Sequence, residues 1–277
     1  MISTIYEGDK VNMRFCPLYS GSSGNASLVW DDKTRVLVDA GLSAKTIVNA
    51  LSVLDMTPDA LDGVLVTHEH IDHVKGIGVL ARKYSVPIYA NEATWRAMPE
   101  SIGKVPDECV RIITSDTDFY INDMNILPFR TPHDAAESVG YTFYSKCAQM
   151  STVTDIGHVD ARLINALCGS SLVLIESNHD VEMLKAGGYP YPLKRRILGE
   201  NGHLSNGDCG IALTKLFRNG LKTAVLGHLS LDNNLEPLAY ETVRGILNSD
   251  GIYENMLDVS IAHRDRIGAI YEISEGK

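Results

Sequence analysis

The chain has 277 residues, 44% of them hydrophobic, with a mean hydropathy of −0.04 and a formal net charge of −10. That length can bury a large core in one domain, and no run approaches the roughly 18 apolar residues of a membrane-spanning helix. The acidity excludes a protein that coats nucleic acid through its overall charge, while leaving room for a local basic groove.

Residues 1–12 carry no periodicity and no basic-then-apolar leader pattern, so they are expected to form a loose extension ahead of a domain over 13–277. Strands are expected at 14–19, 27–31 and 35–39, with the small-residue turn Ser20 to Asn25 after the first. A helix over 44–54 follows, capped by Ser43. The apolar run Val64 to Val66 reads as a buried strand. Then come a helix at 76–84, a strand at 87–90 and a helix at 91–98. Strand-like runs succeed one another at 109–114, 117–121, 124–130, 138–144 and 149–154. A helix at 159–167 leads to the strand Ser171 to Ile175. Helices at 208–219 and 235–247 bracket the strand Thr223 to Gly227, and strands at 259–261 and 269–273 close the chain. Helices and strands are interleaved, no period of 20–50 residues repeats and no linker divides the chain, so one domain of two packed sheets with helices outside is expected. The five cysteines are scattered without close pairs, which argues against a disulfide framework and for a cytoplasmic location.

The densest chemistry lies directly after Val66. Thr67-His68-Glu69-His70-Ile71-Asp72-His73 puts three imidazoles and two carboxylates into seven residues. An extended backbone would place His68, His70 and Asp72 on one side and turn His73 toward a second site. Imidazole with carboxylate suits zinc, manganese or iron. Further candidates stand just past other expected strands, where a rigid scaffold presents site residues on loops: His133 after 124–130, Asp155 after 149–154, and His228 after Gly227.

In this order, Asp39, the 68–73 motif, His133, Asp155 and His228 resemble the metallo-β-lactamase superfamily. That resemblance implies an αββα sandwich with a dinuclear centre at one edge. By position, His68, His70 and His133 would hold one metal, and Asp72, His73 and His228 the other, with Asp155 bridging. Asp39 would orient ligands from behind or simply form the strand-end turn. Ser20 to Asn25, Glu176 to Asp180, Tyr189 to Ile197, Gly202 to Asn206, and Gly227 to Ser230 with Asn233-Asn234 are similar to the YycJ/WalJ-like subgroup. Its members are described as 5′-to-3′ exonucleases on DNA. The 47 residues between Asp155 and His203 leave no room for the extra domain of the RNase J branch. The 21 between His133 and Asp155 are too few for the tRNA-gripping arm of RNase Z.

The mechanism this implies uses two divalent ions about 3.5–4 Å apart that hold a hydroxide and clamp the phosphoryl group. Asp72 and Asp155 serve the metals and the nucleophile. His203, in a Gly-His-Leu-Ser signature similar to that of RNase Z, is the candidate general acid, or else a helix-entry residue. Glu176 and His179 are candidates to stand behind the ligands. Ser22, Ser23 and Asn25 of the glycine turn, Lys194, Arg195 and Arg196 of the aromatic-basic segment 187–196, and Ser205 are candidates to bind substrate. The glycine turn can equally be a plain hairpin and the basic triplet a solvated surface. If a free 5′-phosphate is required, one of these two segments should be the reason. The expected partner is nucleic acid, DNA with a 5′-phosphate end, and not a membrane. The competing readings are a thioester or lactone hydrolase of the same superfamily and a metal-binding regulator without turnover.

Overall fold

The computed structural model describes residues 13–146 and 148–274. The loose extension expected over 1–12 therefore lies outside the described residues. In chain order the elements are β1 (Met13–Tyr19), β2 (Ala26–Trp30), β3 (Arg35–Val38), α1 (Ala44–Val53), β4 (Gly63–Leu65), α2 (Ile71–Val74), α3 (Ile77–Tyr84), β5 (Ile88–Asn91), α4 (Glu92–Ala97) and β6 (Val110–Ile113). Then follow β7 (Phe119–Ile121), β8 (Met124–Arg130), β9 (Val139–Ser145), β10 (Ala148–Val153), α5 (Ala161–Leu167), β11 (Leu172–Glu176), α6 (Val181–Ala186), α7 (Tyr191–Ile197), α8 (Asn206–Phe217), β12 (Thr223–Gly227), α9 (Glu236–Ser249), β13 (Asp258–Ile261) and β14 (Tyr271–Ile273).

Two seven-stranded sheets, ordered β14-β1-β2-β3-β4-β5-β6 and β13-β12-β11-β10-β9-β8-β7, form the centre of the molecule. The inner strands β3, β4, β11 and β12 read as nearly unbroken apolar runs because both faces are covered. In β12, Val225 joins the core between the sheets while Ala224 and Leu226 pack outward against helices. In β3, Val36 and Val38 face inward and Leu37 faces out. One outer layer sets Ile47 and Leu51 of α1 and Ile77 and Leu80 of α3 on the first sheet. The other sets Leu163 of α5, Leu213 of α8 and Val243 of α9 on the second. The architecture is the expected αββα sandwich, in one α+β domain. No helix among the described residues is long and apolar enough to cross a membrane. The cysteines at 16, 109, 168 and 209 are free.

Three helices were not anticipated. The chain turns helical at Ile71, with His70 at its N-cap, so the extended alternation expected through Asp72 stops at His70. The 181–186 and 191–197 segments form α6 and α7, where chemistry rather than regular structure was expected. The prolines of Tyr189-Pro-Tyr-Pro192 start α7 instead of interrupting it, because Pro190 is its N-cap and Pro192 stands in its first turn.

The strands β3 to β6 run parallel, as do β10 to β13. The ends of β3, β4, β10, β11 and β12 therefore deliver their following residues to one edge of the sandwich, outside the carboxyl ends of the strands. Asp39, the 67–73 segment, Asp155, Glu176 and His228 stand there.

Candidate metal centre

Asp39, Asp155 and His228 all occupy the left-handed backbone region, at φ of 61°, 56° and 54°. Each follows a strand directly or within two residues, so each strand end is turned sharply to aim one polar side chain. Non-glycine residues hold such angles only when the surroundings over-determine them, which happens most often at functional sites.

Four overlapping groups of ligand-capable atoms result, each with its atoms within 4.8 Å of one another: His68, His70 and His133; Asp72, His73 and His228; His68, His73 and Asp155; and Asp155, Glu176, His203 and His228. Asp155 faces both imidazole sets. Its Oδ2 lies 3.2 Å from His73 Nε2, and its Oδ1 lies 3.8 Å from His133 Nε2 and 3.5 Å from His228 Nδ1.

The imidazoles are held from behind. His228 Nδ1 donates to Glu176 Oε1 at 2.7 Å and His203 Nδ1 to the same oxygen at 2.9 Å. Glu176 Oε2 accepts from the backbone N–H groups of Ile156 and Leu204. With both oxygens engaged and no exposure, Glu176 orients imidazoles and is not free to ligate. His73 Nδ1 donates to Asp39 Oδ2 at 2.7 Å, and Asp39 also accepts from the backbone N–H and hydroxyl of Thr67. The Thr67 oxygen in turn lies 3.0 Å from His68 Nδ1. His133 Nδ1 donates to the Gly202 carbonyl.

These anchors leave the opposite ring nitrogens unmatched. Nε2 of His68, His133 and His228 is buried and makes no hydrogen bond to the described residues. A buried nitrogen without a partner is costly, and imidazoles anchored through Nδ1 with Nε2 bare are what a divalent ion requires. The donor set of imidazole and carboxylate without thiolate fits zinc, manganese or iron.

The charges balance within the cluster. Burial pushes the pKa of His68 well down and lowers that of His133, so both are neutral. Burial also acts against the charged form of His73 and His228, but carboxylates outweigh it. Asp39, Asp155 and Asp72 raise His73 well above the usual range, and Asp155, Asp72 and Glu176 push His228 to about 10. For His203, burial is overcome chiefly by Glu176, and its pKa is raised. Asp155 is buried as well, and the imidazolium charges hold its carboxyl well below the ordinary carboxylate range.

A cavity of about 410 Å³ opens over this cluster, lined by Ser22, Asp72, His133, Asp155, His203 and His228 together with Asn178, Tyr189, Arg196 and Ser230. Of the residues expected to bind substrate, Ser22 and Arg196 reach this cavity. Ser23 is exposed beside it. Asn25 is buried, with Nδ2 3.1 Å from His73 Nε2 and Oδ1 accepting from the Gly21 N–H. Lys194 donates to the Lys185 carbonyl and Arg195 is exposed, since successive residues of α7 point in different directions. Arg196 pairs in bidentate fashion with Asp134, fastening α7 to the loop that carries His133. The Ser205 hydroxyl caps α8, accepting from the Asp208 N–H and donating to its carboxylate. His179 is buried next to this cap, and neither of its ring nitrogens has a partner among the described residues. Sequence reasoning assigned no role to Thr67 or to the Gly202 carbonyl; a hydroxyl directly before His68, at a strand end, was the available signal for the first.

Residues 34–229 match the family described as beta-lactamase superfamily domain. The chain is 41% identical over 241 residues to exodeoxyribonuclease YycJ of Bacillus anthracis, covering 87% of this chain and 91% of that protein. It is also 41% identical over 236 residues to exodeoxyribonuclease WalJ of Streptococcus pneumoniae serotype 2, covering 84% and 88%. Zinc-bound PqqB of Methylobacterium extorquens shares the fold, with a TM-score of 0.69 over 94% of this chain and 99% of that one, at 15% identity. The chain belongs to the metallo-β-lactamase superfamily, in its YycJ/WalJ-like subgroup, and is a metal-dependent hydrolase.

Proposed function

We propose that the protein is a dinuclear phosphodiesterase that degrades DNA from the 5′ end in the cytoplasm, acting on 5′-phosphorylated strands. The observation that carries this reading is the placement of Asp155 against both imidazole sets at once. His68, His70 and His133 would hold one divalent ion, Asp72, His73 and His228 the other, and Asp155 both. Two ions so held supply Lewis acidity to a phosphoryl oxygen and an activated water.

The chain's own residues perform the remaining tasks. Glu176 and Asp39 fix the rings of His228 and His73, so that the ligands are oriented before an ion arrives. His203 stands on the cavity wall with its Nδ1 anchored on Glu176, which raises its proton affinity against the effect of burial. It is suited to hand a proton to the departing 3′-oxygen. Tyr189 offers a ring for a base to stack on, and Arg196, held by Asp134, lines the same cavity. The names of the two relatives support DNA as the substrate.

The test is a panel on one metal-replete preparation: end-labelled single- and double-stranded DNA and RNA, S-lactoylglutathione, a homoserine lactone and nitrocefin. Turnover of DNA well above every other member is expected. Preferential hydrolysis of a thioester or lactone would overturn the reading, as would a metal-loaded protein that hydrolyses nothing.

A further inference from the structure

Neither segment singled out from the sequence for a terminal phosphate has a cation free for it. Ser20 to Asn25 contains none, Lys194 and Arg196 are engaged elsewhere, and Arg195 does not reach the metal cavity. A different cation lies against the glycine turn. Arg264, from the loop after β13, runs so close past Gly21 that a Cβ there would meet its Nε at 3.1 Å and its Cγ at 3.2 Å. Its Nη2 donates to the Leu229 carbonyl at 2.9 Å, which ties the guanidinium to the residue next to His228. Nε is buried and unpartnered, and Arg264 forms no ion pair with any described residue.

Glu236 and Asp265 line the same side of the molecule, but neither carboxylate comes within ion-pair distance of Arg264. Glu236 pairs with His263 at 2.8 Å and with Arg266 at 3.7 Å, and Asp265 pairs with Arg266 at 3.8 Å. Arg264 borders a second cavity of about 320 Å³, which includes Ser20, Ser230 and Arg266 as well as Glu236 and Asp265. Ser230 lines this cavity and the one over the metal cluster, so the two adjoin through a single residue. Ser20 is fixed by accepting the His228 N–H at 2.8 Å, and its own proton has no acceptor among the described residues.

A guanidinium with no carboxylate in ion-pair contact, sharing a cavity with the hydroxyls of Ser20 and Ser230 beside a metal-ligand strand end, suits a phosphate monoester. We propose that Arg264, with Ser20 and Ser230, seats the terminal 5′-phosphate of the DNA strand while the next phosphodiester lies over the metal cluster. This rests on the exonuclease reading and gives it an end-reading device. The seat accepts a phosphate monoester at a chain end, and the spacing to the cluster fixes which bond is cut.

Binding tests this without requiring turnover. Zinc-loaded protein is titrated into 3′-fluorescein oligodeoxynucleotides with phosphorothioate backbones, bearing either a 5′-phosphate or a 5′-hydroxyl, and anisotropy is read. The wild-type protein should prefer the 5′-phosphate by about tenfold or more, the usual size of a contact to a charged group. Arg264→Ala should bring the ratio to near one, and Arg264→Lys should leave it in between. Gly21→Ala, whose methyl group crowds the Arg264 side chain without removing its charge, should also lower the ratio and covers the case in which the Arg264→Ala variant does not fold, as judged by melting and metal content. A wild-type ratio of one, or a ratio untouched by Arg264→Ala and Gly21→Ala, overturns the proposal. So does equal weakening of both oligonucleotides, which would make Arg264 a contact for internal phosphodiesters. Failure to degrade DNA would sink the exonuclease reading alone and leave this ratio to be judged by itself.

Discussion

Glu176 Oε1 receives the Nδ1 proton of His228 at 2.7 Å, at the bottom of a site where neither residue is more than 2% exposed. The same carboxylate takes His203 and two backbone N–H groups, so all of its acceptor capacity is committed. Glu176→Gln retains the shape but must turn an NH2 toward either the two histidines or the Ile156 and Leu204 N–H groups. Either choice buries donor against donor. Metal affinity should fall by about 10–100-fold and stability by about 1–3 kcal/mol. Equilibrium dialysis with metal analysis and a denaturant melt measure the two effects.

His203→Ala should retain its metal content, because the ligand sets of imidazole and carboxylate are complete without it. DNA turnover should fall by about 10²–10⁴-fold, the range for loss of general acid–base help. The loss should be much smaller on bis-p-nitrophenyl phosphate, whose leaving group needs no proton. Parallel kinetics on the two substrates separate an acid role from a helix-entry role, for which both rates would drop together or not at all.

Metal uptake should release protons. His73 and His228 have pKa values raised above the usual imidazole value, His228 to about 10, so both are imidazolium, with a second ring proton, before an ion arrives. His68 and His133, lowered by burial, are neutral imidazoles. Binding displaces protons from the raised pair, and affinity therefore rises with pH until those groups have titrated. Calorimetric titrations in buffers of different ionisation enthalpy should show net release of about one proton or more for the set containing His73 and His228. A heat independent of buffer would contradict this.

Gly41 lies directly beneath Asp72. A Cβ at this position would come within 1.5 Å of the Asp72 carbonyl oxygen. The Gly41 N–H donates to Asn25 and the Asn25 N–H to Asp72, so three loops are locked around a point with no room for a methyl group. Gly41→Ala should destabilise the fold by about 3 kcal/mol and loosen the site that depends on Asp72 and His73. Thermal melting and metal stoichiometry check both effects.

The sandwich was legible because its strands carry two apolar faces. The runs at 171–175 and 223–227 could only be strands buried on both sides, and they became β11 and β12. The metal cluster was legible because five ligand-type side chains in seven residues follow one such strand. The helices α6 and α7 were not, since the segments around them were weighed for chemistry alone, and Pro190 and Pro192 favour a helix only as its cap and first turn. Arg264 was invisible for a different reason. Its partners, Gly21 and the Leu229 carbonyl, are more than 200 and 35 residues away in sequence, and neither the glycine nor a backbone oxygen announces an arginine. Ser205 shows the opposite error: a polar residue in a promising motif whose hydroxyl is spent on a helix end.

The central claim is that two ions held around Asp155 drive removal of nucleotides from the 5′ end. The most direct test is hydrolysis of 5′-³²P-labelled duplex DNA by metal-free protein reconstituted stepwise with manganese. The account predicts activity that climbs until two equivalents are bound, with labelled mononucleotide as the earliest product. Full activity at one equivalent, or label that persists in long shortening fragments, would contradict it.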